Sequence, residues 1–243
     1  MSSKPCSYRC LSPSNAQQAG ASSKNLSLTL ALWGALAWTA SASAQGLELQ
    51  GAHHDEVSTI RQLGQGRIER VSPTRLRISL PRKALVFDDR PPYDEPLAGT
   101  RYRFLDRRGG FILLGLEEDE HSHGLLIDEE TAAVTPGGER VLFAPDGRAY
   151  FAVEQHNGMD AEVWKVYHRD GREAWAGASY VPDPQEPLRA RYYLDGVSWS
   201  AKGELQARAA CAQQPLERWS VKLIRNAQAE WTWRPLRPCG TKR

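Results

Sequence analysis

The sequence predicts an all-β fold laid out as an antiparallel meander. Three observations carry this reading. Apolar and polar residues alternate with a period of two in most apolar runs. Turn signals rich in Gly, Asp and Pro separate those runs at short intervals, and no long stretch beyond the N-terminal region sustains a helical period.

Residues 1–44 stand apart. Lys4, Arg9 and Lys24 precede an apolar run from Leu26 to Ala40, which leads into Ser41-Ala42-Ser43-Ala44-Gln45. A basic segment, a short apolar segment and an Ala-x-Ala site are the parts of a secretory signal, with the cut expected between Ala44 and Gln45. The run is shorter than the ~20 apolar residues of a membrane span, and Ser27, Thr29 and Thr39 weaken it further. The expectation is a bacterial protein exported to the periplasm or secreted, with no stable membrane insertion after cleavage. Retention of the segment as an inner-membrane signal anchor is the alternative.

Residues 45–66 are polar and Gly-spotted, and read as a flexible N-terminal arm with one helical turn near Asp55–Leu63. A single β-repeat domain is expected over 67–240. Leu76, Ile78 and Leu80 alternate with Arg75, Arg77 and Ser79, and Tyr102 and Phe104 alternate with Arg101 and Arg103. The same pattern returns at Leu205–Cys211, Trp219–Leu223 and Trp231–Trp233. Two denser runs, Phe111–Leu114 and Ala149–Val153, suit strands buried on both faces. Turns are expected at Arg107–Gly110, Pro136–Gly138, Pro145–Gly147, Arg169–Gly171 and Ala201–Gly203, and a Pro- and acid-rich loop at 88–99.

The chain also repeats itself. A shift of 56 takes Phe143-Ala144-Pro145-Asp146-Gly147-Arg148 onto Trp199-Ser200-Ala201-Lys202-Gly203-Glu204, and Trp175 onto Trp231; a shift of 38 takes Gly109–Leu114 onto Gly147–Ala152. Three units follow, near 101–135, 139–178 and 190–236. The Ala-Pro-Asp-Gly-Arg stretch at 144–148 and the later Val163-Trp164-Lys165-Val166 resemble the turn and strand of TolB-like and WD-repeat β-propeller blades. The first unit lacks the Pro-Asp-Gly signature, and the third has Ala-Lys-Gly in its place. The resemblance implies a propeller-like array of about three repeats, partial or completed to four blades by residues 67–88. A strongly twisted β-sandwich is the alternative.

Charge narrows the partners. The 243 residues carry 31 Lys and Arg against 29 Asp and Glu. Removing residues 1–44, with their three cations, leaves 28 against 29. Such a balance lacks the electrostatic footprint of a nucleic-acid binder. Of the four cysteines, Cys6 and Cys10 precede the expected cut; Cys211 and Cys239 follow it, and an even pair in an exported chain suggests a disulfide.

Candidate chemistry is sparse. His121 and His123, two apart and preceded by Glu117-Glu118-Asp119-Glu120, share a strand face and form a candidate metal-binding pair; a charged loop that discourages edge association is the other reading of this segment. His53-His54-Asp55-Glu56 and His156-Asn157-Gly158-Met159-Asp160 read as a solvated arm and a turn. His168 reads as a half-buried strand residue. Asp88-Asp89, Asp94-Glu95 and Glu129-Glu130 are neighbours in sequence, which does not define a catalytic carboxylate pair. No Gly-x-Ser-x-Gly, phosphate-loop or dinucleotide motif occurs, so no catalytic residue is assigned and no cofactor is expected. The six Trp residues after the cut read as core packing before carbohydrate stacking.

The expected function is non-catalytic binding of a protein or small ligand, through hairpin loops near 117–123, 154–161 and 180–189. The alternatives are a periplasmic metal-dependent hydrolase with a loop-assembled site, and an inhibitor or immunity-type partner of another exported protein.

Overall fold

A computed structural model describes residues 47–51, 55–91, 99–118, 121–154 and 162–240. The expected signal and its Ala44–Gln45 junction, His53-His54, Asp119-Glu120 and His156–Asp160 lie outside the described residues.

The described chain begins with strand β1 (Glu48–Gln50) and helix α1 (Glu56–Leu63). The Asp55 carboxylate accepts the Ser58 N–H at 3.1 Å and caps the helix. The stretch expected to be an arm therefore supplies a strand and an eight-residue helix, with Leu49 fully buried.

Four antiparallel sheets follow. Sheet I holds β2 (Ile68–Ser72), β3 (Arg75–Ser79) and β4 (Ala84–Asp88). Sheet II holds β5 (Thr100–Arg108), β6 (Phe111–Glu118), β7 (His121–Asp128) and β8 (Val134–Gly137). Sheet III holds β9 (Arg140–Phe143), β10 (Ala149–Glu154), β11 (Val163–His168) and β12 (Glu173–Ala178), with β1 added beside β9. Sheet IV holds β13 (Tyr180–Pro182), β14 (Ala190–Trp199), β15 (Leu205–Cys211), β16 (Gln214–Arg225) and β17 (Trp231–Arg234). Every pairing is antiparallel, and the fold is all-β.

The three units read from the sequence coincide with sheets II, III and IV. β6 and β10 start 38 apart, at Phe111 and Ala149; β10 and β15 start 56 apart, at Ala149 and Leu205. The same 56 takes the start of β11 into β16 and Trp175 of β12 to the start of β17.

Three cores separate the four sheets. Sheets I and II enclose Ile68, Leu76, Ile78, Phe104, Ile112, Leu114 and Ile127 beneath Ile60 and Leu63 of α1. Sheets II and III enclose Phe111, Leu113, Val141, Phe143, Tyr150 and Tyr167. Sheets III and IV enclose Phe151, Val153, Trp164, Leu194, Val221 and Trp233. Alternation explains the division. In β6, Phe111 and Leu113 point one way and Ile112 and Leu114 the other; in β10, Tyr150 and Ala152 oppose Phe151 and Val153. Both dense runs are thus buried on two faces, and each large side chain contributes about 1.5–3 kcal/mol by leaving water. Sheets I and IV bury one face only, which is why their strands alternate with polar residues.

Gly109-Gly110, Gly147, Gly171 and Gly203 occupy positive φ in the expected turns. Pro136-Gly137-Gly138 is different. It ends β8 and carries the chain from sheet II into β9 of sheet III. A Cβ on Gly138 would collide with the Val153 backbone, and one on Gly124 with Gly138 itself. The glycines there permit close strand approach rather than a turn.

Candidate functional site

A cleft of about 220 Å³ opens at the rim of sheet II, between α1 and the start of β9. Its floor is Leu105, the extra residue of a bulge between Phe104 and Asp106 that pairs with no residue of β6. Bulges re-aim side chains; here Leu105 packs against both Gly51 and Gly115, where an added Cβ would lie 3.3 Å from it.

One wall is Glu56. Its carboxylate receives Arg70 through two guanidinium nitrogens, at 2.9 and 3.2 Å, and the Phe104 N–H at 2.7 Å. Arg70 also donates to Asp89 at 2.8 Å and to the Tyr102 carbonyl, while Asp89 accepts the Tyr102 N–H at 2.9 Å. Side chains thus satisfy the free edge of β5 as a neighbouring strand would, and hold α1 against it. Burial disfavours the Arg70 charge, but Glu56 and Asp89 outweigh it and raise its pKa.

The other walls bring Arg103, Glu117, Ser122, His123 and Glu139 together. Arg103 and Glu117 pair at 3.1 Å across β5 and β6. Glu139 accepts the Gly51 N–H on its backbone carbonyl at 2.7 Å. Among the described residues, no cation pairs with its carboxylate. With Glu56 and Glu117 paired, Glu139 is a lining carboxylate that no described cation holds. The cleft suits a ligand that presents a cationic hydrogen-bond donor.

Of the candidate metal pair, His123 lines this cleft, and His121 begins β7 two residues earlier, in register with Glu118. Among the described residues, no group of three or more His, Cys, Asp and Glu assembles as a metal site. Cys211 and Cys239 are bridged, with sulfurs 2.13 Å apart and Cα atoms 5.6 Å apart. His168 is exposed rather than half-buried; it is the last residue of β11, opposite Ala149, the first of β10. Asp89 and Glu129 serve structural ion pairs with Arg70 and Arg107. Trp164, Trp219 and Trp233 are core residues; Trp199 and Trp231 reach across sheets by their indole N–H groups. Sequence reasoning missed Glu56 and Glu139. Glu56 follows the Asp55 cap signal, but its partners lie 14 or more residues away.

No family model matches the chain, and no curated protein matches it. Among solved structures it is similar to a chain of hydrazine synthase from Kuenenia stuttgartiensis, at 12% identity and a TM-score of 0.34, over 72% of this chain and 52% of that one. The chain spans about half the length of that neighbour. No helix among the described residues is long and apolar enough to cross a membrane.

Proposed function

We propose that the protein is an exported, non-catalytic binding protein whose serial sheets act as propeller-like blades. In this reading it works in the periplasm or after secretion. The Cys211–Cys239 bridge suits an oxidising compartment, and the matched strand spacing of sheets II, III and IV supports the blade reading.

The observation that carries the binding role is the sheet II cleft. Arg103, Glu117, Ser122 and His123 stand on paired strands, with Glu56 on α1 and Glu139 just before β9, so little ordering is required when a ligand enters. The Glu139 carboxylate selects a basic group, from a partner's Lys or Arg or from a small amine.

Thermal unfolding of the full chain, titrated with putrescine, agmatine and lysine methyl ester, tests this. At least one probe is expected to raise the midpoint with the logarithm of its concentration, adding about 2.7 kcal/mol of stability at a hundred times its Kd, and Glu139→Gln is expected to abolish the rise. No rise with any probe, or an equal rise in the variant, defeats the reading. The metal-dependent hydrolase expected from His121 and His123 is the alternative reading, and it is separately testable. Zinc or copper retained through purification without added metal, and lost in a His121→Ala/His123→Ala variant, would establish that one instead.

A further inference from the structure

The two end sheets expose faces of different charge. On sheet I, Arg75 pairs with Asp88 and Arg77 with Glu69, leaving a neutral surface. On sheet IV the outward positions alternate with the core residues and form a grid. Tyr193, Ala210 and Arg218 lie across one row, then Asp195, Arg208 and Ser220, then Ser198, Gln206, Lys222 and Arg234. Its strand positions carry Arg208, Arg218, Lys222 and Arg234 against Asp195, with Glu204 just before β15 beside them and Arg191 folded over the Tyr192 ring. Asp195 is shared between Arg208 and Arg218, at 2.8 and 2.9 Å, and Lys222 reaches Glu204 at 2.8 Å. Arg234 has no carboxylate partner among the described residues. Among the described residues Arg191, Arg208, Arg218, Lys222 and Arg234 are all exposed on this face, Tyr193 is 53% exposed, and Ala210 is buried between its neighbours.

We propose that this outward face is a docking surface for an acidic polysaccharide, with Arg218, Lys222 and Arg234 binding its carboxylates and Tyr193 stacking against a sugar ring. Charge complementarity sets the sign of the partner. Guanidinium groups bind carboxylates through paired hydrogen bonds. Tyr193 stands about 10 Å from Arg218, two strand spacings away in the same row, with small Ala210 as the floor between them. An extended chain of sugars laid across the strands meets an aromatic face and then a row of cations.

The observations favour this polymer over two other polyanions. A nucleic-acid duplex presents one charge per ~1.7 Å of its axis, far denser than the cations of this face, three of which already hold carboxylates. A bilayer needs apolar anchors that enter together, but the exposed aliphatics of β16, Leu216 and Ile224, are eight residues apart, about 26 Å along a strand. The proposal is independent of the sheet II cleft.

Isothermal titration of the full chain with polygalacturonate, neutral dextran, duplex DNA and phosphatidylglycerol vesicles tests it. Polygalacturonate is expected to bind in a salt-dependent way and dextran not to bind. A triple Arg218→Ser/Lys222→Ser/Arg234→Ser variant, folded by circular dichroism, is expected to bind polygalacturonate at least about tenfold more weakly. Tyr193→Ala is expected to weaken it about three- to tenfold while leaving the salt dependence intact. Absence of polygalacturonate binding, unchanged binding in the triple variant, or tighter binding of DNA or vesicles overturns the proposal.

Discussion

The indole N–H of Trp199 donates to the Leu142 carbonyl at 2.9 Å, joining sheet IV to sheet III. Leu142 immediately precedes Phe143, the residue 56 positions before Trp199. Trp231 does the same: its N–H reaches the Ala174 carbonyl at 3.1 Å, and Ala174 precedes Trp175, again 56 before Trp231. The sequence repeat is therefore also a repeat of the inter-sheet contact.

Removing either bond while keeping a ring should separate polarity from packing. Trp199→Phe and Trp231→Phe are each expected to destabilise by about 0.5–1.5 kcal/mol, with the more exposed Trp231 at the low end. Urea unfolding of the double variant should give the sum of the two, because the sites share no partner.

Arg70 holds two carboxylates and a carbonyl at the β5 edge. Arg70→Met leaves Asp89, only 7% exposed, without its cation. A loss of about 3–5 kcal/mol is expected, read by chemical unfolding. Hydrogen exchange should show α1 and the Tyr102 and Phe104 amides losing protection first. A loss below 1 kcal/mol would contradict the latch.

Stability should fall at both extremes of pH. Burial pushes the Tyr150 phenol up to about 12, and burial with Glu154 and Glu173 nearby raises Tyr167. Neutral phenols are thus favoured in the folded state. Their contribution is complete below the ordinary value of 10.0 and is lost as pH rises toward about 12. Phenolate absorbance of these two residues should appear with unfolding, and Tyr150→Phe should flatten the alkaline slope. Burial alone would raise Asp128, but the Thr131 and Glu130 amides and Arg169 outweigh it and hold the carboxyl below 3.8. That contribution is present above 3.8 and lost as pH falls through the lower folded value, so Asp128→Asn should reduce the acid slope.

The Cys211–Cys239 bridge closes a loop over a separation of 28 residues. The paired Cys→Ala variant is expected to lose about 3–4 kcal/mol on the chain-entropy model. Native protein should resist alkylation until reduced.

Gly138→Ala places a methyl group against the Val153 backbone, where neither strand can yield alone. A cost of about 1–3 kcal/mol is expected, seen as a lower unfolding midpoint. Ala at Gly203, whose Cβ position is open, carries only the positive-φ strain of its turn.

Much of the architecture was legible because it is written locally. The turns at Gly109-Gly110, Asp146-Gly147, Asp170-Gly171 and Lys202-Gly203 follow from hairpin chemistry, and the two-faced strands at Phe111–Leu114 and Ala149–Val153 from unbroken apolarity. Pro136-Gly137-Gly138 carries the same local signal as a turn. Its cause, the approach of Val153, lies outside any sequence window. His123 was legible as a rim residue. Glu56 and Glu139 were not, because their companions in the cleft come from β5, β6 and β7.

By itself, the sequence determined the alternation of the strands it marked and the Gly turns at 109–110, 147, 171 and 203, since these reflect chain geometry over a few residues, and it carried the 38- and 56-residue offsets as internal repetition. Only the tertiary structure decided that β1 joins sheet III, with Glu48 meeting Arg140 across 92 residues, and that sheet IV turns its cations away from the core it shares with sheet III. Alternation says that two faces exist; which one meets another sheet depends on pairings between segments that carry no mark of one another.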